Sequence, residues 1–132
     1  MIPVDQTRFD AKQKPFGNCF ASCVASILEM PLDDVLDDSM IDDGSHWWLS
    51  WQWWLEKLGY GLVHLQGSPP GWFFPIKGYS IMSGKSPRGN FDHSVVALDG
   101  KMVHDPHPSR AGIEGEPTCW VLLYPIELPR RA

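Results

Sequence analysis

The first half of the chain contains two stretches in which apolar residues recur at helical spacing. In residues 18–29 polar Ser22, Ser26 and Glu29 lie opposite one apolar face. That face consists of Phe20, Cys23, Val24, Ile27 and Leu28. Asn18 is a typical N-cap residue and Pro31 cannot continue a helix, so the pattern predicts a first helix that begins next to Cys19.

The second stretch, His46 to Leu58, is rich in tryptophan and is closed by Gly59. Its apolar arc consists of Trp47, Trp51, Trp54, Leu55 and Leu58, with Trp48 at the edge. A stripe of this kind is typical of core packing, and Leu49 and Trp53 point away from it. The pattern therefore predicts a second helix packed against the rest of the protein through its tryptophans.

The second half of the chain alternates between short β-prone runs and Pro- or Gly-rich loops. The predicted strands are residues 61–65, 78–83, 93–98, 101–105 and 119–125, with loops at Ser68–Trp72 and Ser86–Gly89. There is no internal repeat and no interdomain linker. Helices followed by antiparallel strands predict a single α+β domain over residues 1–132.

Composition and charge narrow the range of functions. The chain is 43% hydrophobic and 20% charged, which is ordinary for a folded domain, and its net charge of -5 disfavours a general nucleic-acid binder. The first residues lack a signal-peptide pattern and no apolar run is long enough to span a membrane. Three cysteines make an odd number, so we expect free thiols and a cytoplasmic protein.

Cys19 is the strongest candidate for chemistry. A cysteine nucleophile needs a base, a group that orients the base, and donors for the oxyanion. His93 at the start of an apolar run is the candidate base, and Asp105 the group that orients it. Gln13, six positions before Cys19, is the candidate oxyanion donor together with the Cys19 N–H. In the first helical turn, the thiol of Cys19 would have a lowered pKa.

The hairpin at Asp99-Gly100 determines which residue reaches His93. A three-residue loop ending at Gly100 would set His93 directly opposite Asp105 on one face of the sheet. A two-residue Asp-Gly loop would move Asp105 to the far face and leave His104 near His93. Both loops are common. The chemistry favours the first, because an imidazolium needs an anionic partner.

The order Gln13, Cys19, His93, Asp105, with His-x-Val-Val before Asp-Pro, resembles the papain-like cysteine peptidases. The resemblance is closest to the bacteriocin-processing (double-glycine leader) peptidases and to stand-alone phage and prophage proteins of similar layout. It implies a papain-like fold in which the nucleophile helix packs on an antiparallel sheet. Phe20 and Asn18 depart from the glycine and aspartate usual in the bacteriocin-processing enzymes.

The resemblance implies a hydrolase that cleaves an amide, peptide, isopeptide or thioester bond in a peptide or protein substrate. Cys19 would be the nucleophile, His93 the base and later the acid, Asp105 its orienting partner and Gln13 an oxyanion donor. No cofactor, metal, nucleic acid or membrane is implied. Transfer of the acyl group to a nucleophile other than water remains open.

Two other functions compete with this interpretation. One is a catalytically silent binding or inhibitor protein of phage origin on the same scaffold. The other is a zinc-binding module built from His104, Asp105 and His107 with His93 and a cysteine, although no recognised ligand spacing is present. Cys23 and Cys119 are expected to be small buried residues.

An acidic stretch separates the two predicted helices. It consists of Asp33, Asp34, Asp37, Asp38, Asp42 and Asp43 and lacks the spacing of a calcium loop. We expect these carboxylates to cap and solvate the region, with attraction of a basic substrate as the alternative.

Overall fold

The computed structural model describes residues 1–67 and 76–127. Its helices are α1 (Cys19–Leu28) and α2 (Gly44–Lys57), joined by a loop that contains one 3-10 turn, Leu32–Asp34. Helix α1 begins where the sequence predicts. Helix α2 begins two residues earlier than predicted, because the side chain of Asp43 accepts hydrogen bonds from the N–H groups of Ser45 and His46.

The strands form one five-stranded sheet in the order β1-β5-β2-β3-β4. They are β1 (Tyr60–Gln66), β2 (Tyr79–Lys85), β3 (Asp92–Leu98), β4 (Lys101–His104) and β5 (Glu114–Pro125). Every neighbouring pair is antiparallel. Two helices and an antiparallel sheet confirm the α+β class. Strand β5 starts five residues before the predicted position 119, and the predicted loop Ser68–Trp72 lies outside the described residues.

The sheet buries apolar residues on both faces. Consecutive residues of the central strands belong to different clusters, as alternation in a strand requires: Val96 packs in one and Val95 in the other. The larger cluster contains α1 and α2, with Cys23, Val24, Trp51 and Leu55 fully buried. The smaller cluster contains Ile76, Met82, Val95, Ala97 and Trp120.

The exposure of the side chains of α2 and of the residue after it agrees only in part with the predicted apolar arc. Trp51 and Leu55 are fully buried, and Trp53 is exposed, as the apolar arc indicates. Leu58 is 43% exposed, so the prediction that it packs in the core is wrong. The helix ends at Lys57 and the chain turns at Gly59 with φ of 86°, which carries Leu58 out of the arc. In the described residues, no helix is long and apolar enough to cross a membrane.

The hairpin between β3 and β4 differs from the favoured prediction. Asp99 and Gly100 both have positive φ, and Leu98 pairs with Lys101, so the loop has two residues. The register then shifts: Ala97 pairs with Met102, but Val96 pairs with His104. Val103 is therefore an extra, bulged residue in β4. The bulge reverses the alternation, so Asp105 returns to the face of His93.

Candidate active site

A buried histidine–aspartate pair forms the core of the site. Nε2 of His93 lies 2.7 Å from Oδ1 of Asp105, and both side chains are about 98–99% buried. The N–H of His107 donates to the same oxygen at 2.9 Å, and the N–H of Gly112 donates to Oδ2 at 2.7 Å. Asp105 is thus fixed by backbone donors and holds the imidazole in one orientation. Within residues 1–67 and 76–127, Nδ1 of His93 makes no hydrogen bond.

The protonation of this pair follows from its surroundings. Burial, with a smaller contribution from the charge of Arg88, lowers the pKa of His93 by more than the hydrogen bond and charge of Asp105 raise it. For Asp105, burial acts to raise the pKa, but the hydrogen bonds from His93, His107 and Gly112 together bring it below its ordinary value. At neutral pH the resting pair is therefore a neutral imidazole beside a carboxylate.

Cys19 is the first residue of α1, as predicted, but its electrostatics differ from the prediction. Burial raises the pKa of the Cys19 thiol, and the charge of Asp38 adds to this effect. The N–H and hydroxyl of Ser94 and the N–H of Phe20 interact with the sulfur and lower the pKa by less. The expected thiolate at the helix N-terminus is therefore not supported, because the loss of hydration outweighs these donors.

Asn18 occupies the N-cap position without capping the helix through its side chain. Its Oδ1 instead accepts hydrogen bonds from the N–H groups of Thr7 and Arg8 at 3.0 and 2.9 Å. Its amide also donates to the hydroxyl of Thr7 at 2.9 Å. Asn18 therefore ties the N-terminal segment of the chain to the start of α1, next to Cys19.

Cys19 and His93 line one cavity of about 250 Å³. It lies at the start of β3, beyond the pairing of β3 with β4, which reaches only Val96. No hydrogen bond joins Cys19 to His93, although both residues are described. The predicted nucleophile and base thus line the same cavity, and in the resting structure they are not hydrogen-bonded to each other.

Gln13 does not occupy the predicted position. Its side chain is exposed, and its backbone N–H donates to Asp10 in a local turn. Gln13 lines neither of the two cavities that contain Cys19. Gln6 lies there instead: it is 7% exposed and lines the cavity of Cys19 and His93. Its Nε2 donates to the carbonyl of Arg8 at 2.9 Å, and its Oε1 is buried with no hydrogen-bond partner in the described part of the chain.

The spacing between glutamine and cysteine indicates Gln13 and gives no signal for Gln6. The backbone N–H of Gln6 donates to the carbonyl of Pro106 at 3.0 Å, immediately after Asp105. The segment tied down by Asn18 is thereby held between α1 and the end of β4. No local pattern in the sequence indicates these long-range contacts.

A second, larger cavity of about 640 Å³ also contains Cys19. Across it, Nε2 of His64 on β1 lies 2.8 Å from the sulfur of Cys119 on β5. The ring of His64 stacks on Trp48 with centroids 4.2 Å apart. The expectation that Cys119 is a buried apolar residue is therefore wrong, because the register of β1 and β5 brings it beside a histidine.

The His64–Cys119 pair is electrically neutral. Burial raises the pKa of Cys119 to about 11, with a contribution from the charge of Asp92. Burial also lowers the pKa of His64. A thiolate–imidazolium pair is disfavoured on both sides. Among the described residues no carboxylate is hydrogen-bonded to His64, whereas Asp105 orients His93, so Cys19 remains the stronger candidate.

The acidic stretch contains one residue that is not solvated. Asp38 is 5% exposed and its Oδ2 accepts hydrogen bonds from the indoles of Trp47 and Trp51 at 2.9 and 3.1 Å. Its Oδ1 is buried and makes no hydrogen bond with the described residues. Burial raises the pKa of Asp38. Asp43 caps α2 and Asp37 pairs with Arg8, as capping and solvated roles predict.

Strand alternation turns His104 away from His93, whereas His107 lies beyond β4 and close to His93. His104 is buried and its Nε2 lies 3.0 Å from the carbonyl of Val4, away from His93. His107 lines the smaller cavity, and its ring centroid is 6.2 Å from that of His93. Among the residues that the structure describes, no three His, Cys, Asp or Glu side chains are grouped so that they could hold a metal ion.

No family model, curated protein or solved structure matches this chain. Its function is therefore inferred from the residues of the site.

Proposed function

We propose that the protein is a papain-like cysteine hydrolase that cleaves an amide, peptide, isopeptide or thioester bond. The observation that carries this proposal is the buried hydrogen bond between His93 and Asp105. His93 lines the cavity of Cys19, and its Nδ1 has no hydrogen-bond partner among the described residues. An imidazole fixed by a carboxylate at one nitrogen can exchange a proton at the other. The position of Cys19 at the start of α1 supplies the nucleophile in the same cavity.

The proposed reaction starts from a neutral thiol and a neutral imidazole. As the sulfur of Cys19 attacks the substrate carbonyl carbon, Nδ1 of His93 takes the thiol proton. The C–N, C–O or C–S bond of the substrate then breaks, and His93 returns the proton to the leaving group. Water releases the acyl group from Cys19 by the reverse proton transfers. The thiol must reorient toward His93 before attack, since the resting groups are not hydrogen-bonded.

Two donors are available for the oxyanion. The N–H of Cys19 at the first turn of α1 has no hydrogen-bond partner in the described part of the chain. We assign the second donor to Gln6 rather than to Gln13. Its amide is buried, tethered at both its backbone and its side chain, and lines the cavity of Cys19. Held in this way, the amide needs little reorganisation when charge develops.

A catalytically silent binding protein on the same scaffold is the second candidate. The raised pKa of Cys19 and the absence of a hydrogen bond between its thiol and His93 favour it. The two candidates differ in whether Cys19 accepts an acyl group with the help of His93.

Acylation by p-nitrophenyl esters tests the proposal without a known substrate. Attack by Cys19 forms a thioester and releases nitrophenolate, so the wild type should show a burst and an acylated Cys19 by peptide mass spectrometry. Cys19→Ala should show neither, and His93→Gln should acylate on the order of a hundredfold more slowly. His104→Gln is the matched control and should behave as the wild type. Absence of acylation at Cys19, or equal rates in His93→Gln, would favour the binding protein.

A further inference from the structure

The described lining of the larger cavity next to Cys19 contains acidic but no basic side chains. Its ionisable carboxylates are Asp38 and Asp92, and none of its described lining residues is lysine or arginine. The aromatic side chains of Phe20, Trp47 and Trp48 form part of the same lining. An anionic, aromatic cavity attracts cations through both the carboxylates and the faces of the rings.

Asp38 is the residue that makes this cavity more than an acidic patch. It is 95% buried, and its Oδ2 accepts hydrogen bonds from the indoles of Trp47 and Trp51. The other oxygen, Oδ1, is buried and has no hydrogen-bond partner within residues 1–67 and 76–127. A buried carboxylate oxygen without a donor is costly, and an ammonium or guanidinium group supplies the missing donor and a compensating charge.

The other polar groups of the cavity do not oppose a cation. His64 is held neutral by burial, and its ring is covered by Trp48 on one face. The thiol of Cys119 is neutral as well. Ser83 and Ser94 are bonded to each other through their hydroxyl groups at 2.8 Å. Among the described lining residues, the charge of the cavity is therefore that of Asp38 and Asp92.

We propose that this cavity binds the cationic side chain of a lysine or arginine, which sits beside Cys19 against Asp38, Asp92 and the indole of Trp48. That this side chain belongs to the substrate rests on the proposed hydrolase function; that the cavity binds it does not. The volume of about 640 Å³ accommodates a long side chain together with its backbone.

The first test measures binding without any reaction of Cys19. Nα-acetyl-lysine amide is titrated into the protein, and the indole N–H signals of Trp47, Trp48 and Trp51 are followed by NMR. Nα-acetyl-norleucine amide, which lacks the ammonium group, is the matched ligand control. We expect a saturable shift with the lysine ligand that is absent with norleucine. No saturable shift, or equal shifts with both ligands, would overturn the proposal.

Three variants locate the charge that is responsible. Asp38→Asn retains an acceptor for the indoles, and Asp92→Asn changes an exposed residue. If one of these variants does not fold, the other still tests the proposal. Each should weaken lysine binding by roughly fivefold or more. Asp34→Asn removes the same charge from an exposed residue outside the cavity and should have little effect. Equal losses in all three variants would mean attraction by net charge alone, against the proposal.

The second test uses the thiol itself. The Cys119→Ser substitution removes one thiol, and Cys23 is fully buried. Methanethiosulfonate reagents therefore report on Cys19 in this variant. The trimethylammonium reagent should react about tenfold or more faster than the sulfonate reagent, and Asp92→Asn should reduce this ratio whereas Asp34→Asn should not. If the charge preference is found but acyl esters never acylate Cys19, the cavity assignment holds and the hydrolase assignment fails.

Discussion

His93 and Asp105 are hydrogen-bonded at 2.7 Å even though the two-residue loop between their strands would by itself place them on opposite faces of the sheet. The bulge at Val103 removes this conflict, because one extra residue in β4 inverts the faces of every residue that follows. The same inversion turns His104 away, toward the carbonyl of Val4. A single inserted residue therefore selects the partner of the candidate base.

The charge of Asp105 should be measurable in the titration of His93. Asp105 raises the pKa of His93 against the effect of burial, so Asp105→Asn should lower that pKa further. The Cε1–H signal of His93, followed by NMR across pH, reports this directly. His104→Gln is the matched control and should leave the titration of His93 unchanged. A higher or unchanged pKa in Asp105→Asn would contradict the assigned pairing.

The two glutamines near the N-terminus make a second, paired prediction. Removing one oxyanion donor slows acyl transfer by a factor on the order of a hundred to a thousand. Gln6→Ala should therefore slow acylation of Cys19 by p-nitrophenyl esters to about this degree, whereas exposed Gln13→Ala should leave the rate unchanged. Circular dichroism and thermal unfolding check that Gln6→Ala remains folded. If Gln13→Ala were the slower variant, the sequence-based assignment of the oxyanion donor would be correct.

The sequence predicts the elements of the fold well because their signals are local. The apolar face of α1, the tryptophan arc of α2 and the alternating strands all reflect burial on one side of an element. The candidate base and its partner were also predictable, since a hairpin joins β3, which contains His93, to β4, which ends one residue before Asp105. The pairing holds although the loop is shorter than predicted, because the bulge at Val103, which leaves no distinct sequence pattern, restores the shared face.

The parts that could not be predicted depend on contacts between distant segments. Gln6 enters the site through the carbonyls of Arg8 and Pro106, and Asp38 becomes buried only because two indoles of α2 point at it. The pKa of Cys19 depends on the balance between burial and its hydrogen-bond donors, and the folded arrangement of distant segments sets that balance. Local sequence describes what a residue can do, whereas its neighbours determine whether it does.

The two ends of the apolar arc of α2 should differ in their effect on stability. Leu55 is fully buried in the larger cluster, so Leu55→Ala should lower the free energy of unfolding by roughly 2–5 kcal/mol. Leu58 is 43% exposed, so Leu58→Ala should change the free energy of unfolding by about 0.5 kcal/mol or less. Urea unfolding followed by tryptophan fluorescence measures both. Similar losses in the two variants would restore Leu58 to the core, as its sequence position predicts.

Asp37 should make stability depend on pH in acid. Hydrogen bonds from Ser39 and then Arg8 lower its pKa to about 2 in the folded protein, against roughly 3.9 in an unfolded chain. A carboxyl group with a lowered folded pKa stabilises the protein above its unfolded pKa, and this stabilisation is lost as the pH falls through the folded pKa. Asp37→Asn should therefore be less stable than the wild type above about pH 4, and the difference should shrink toward pH 2.

Urea unfolding at a series of pH values tests this dependence. The effect should be modest, because Asp37 and Arg8 are both partly exposed and their interaction is screened by solvent. Asp34→Asn, which removes an exposed carboxylate without such partners in the described chain, should follow the wild type at every pH. A destabilisation of Asp37→Asn that does not vary with pH would mean that the residue acts through the shape of the loop. In that case its charge would not be what ties Arg8 and the neighbouring segment of Gln6 to the site.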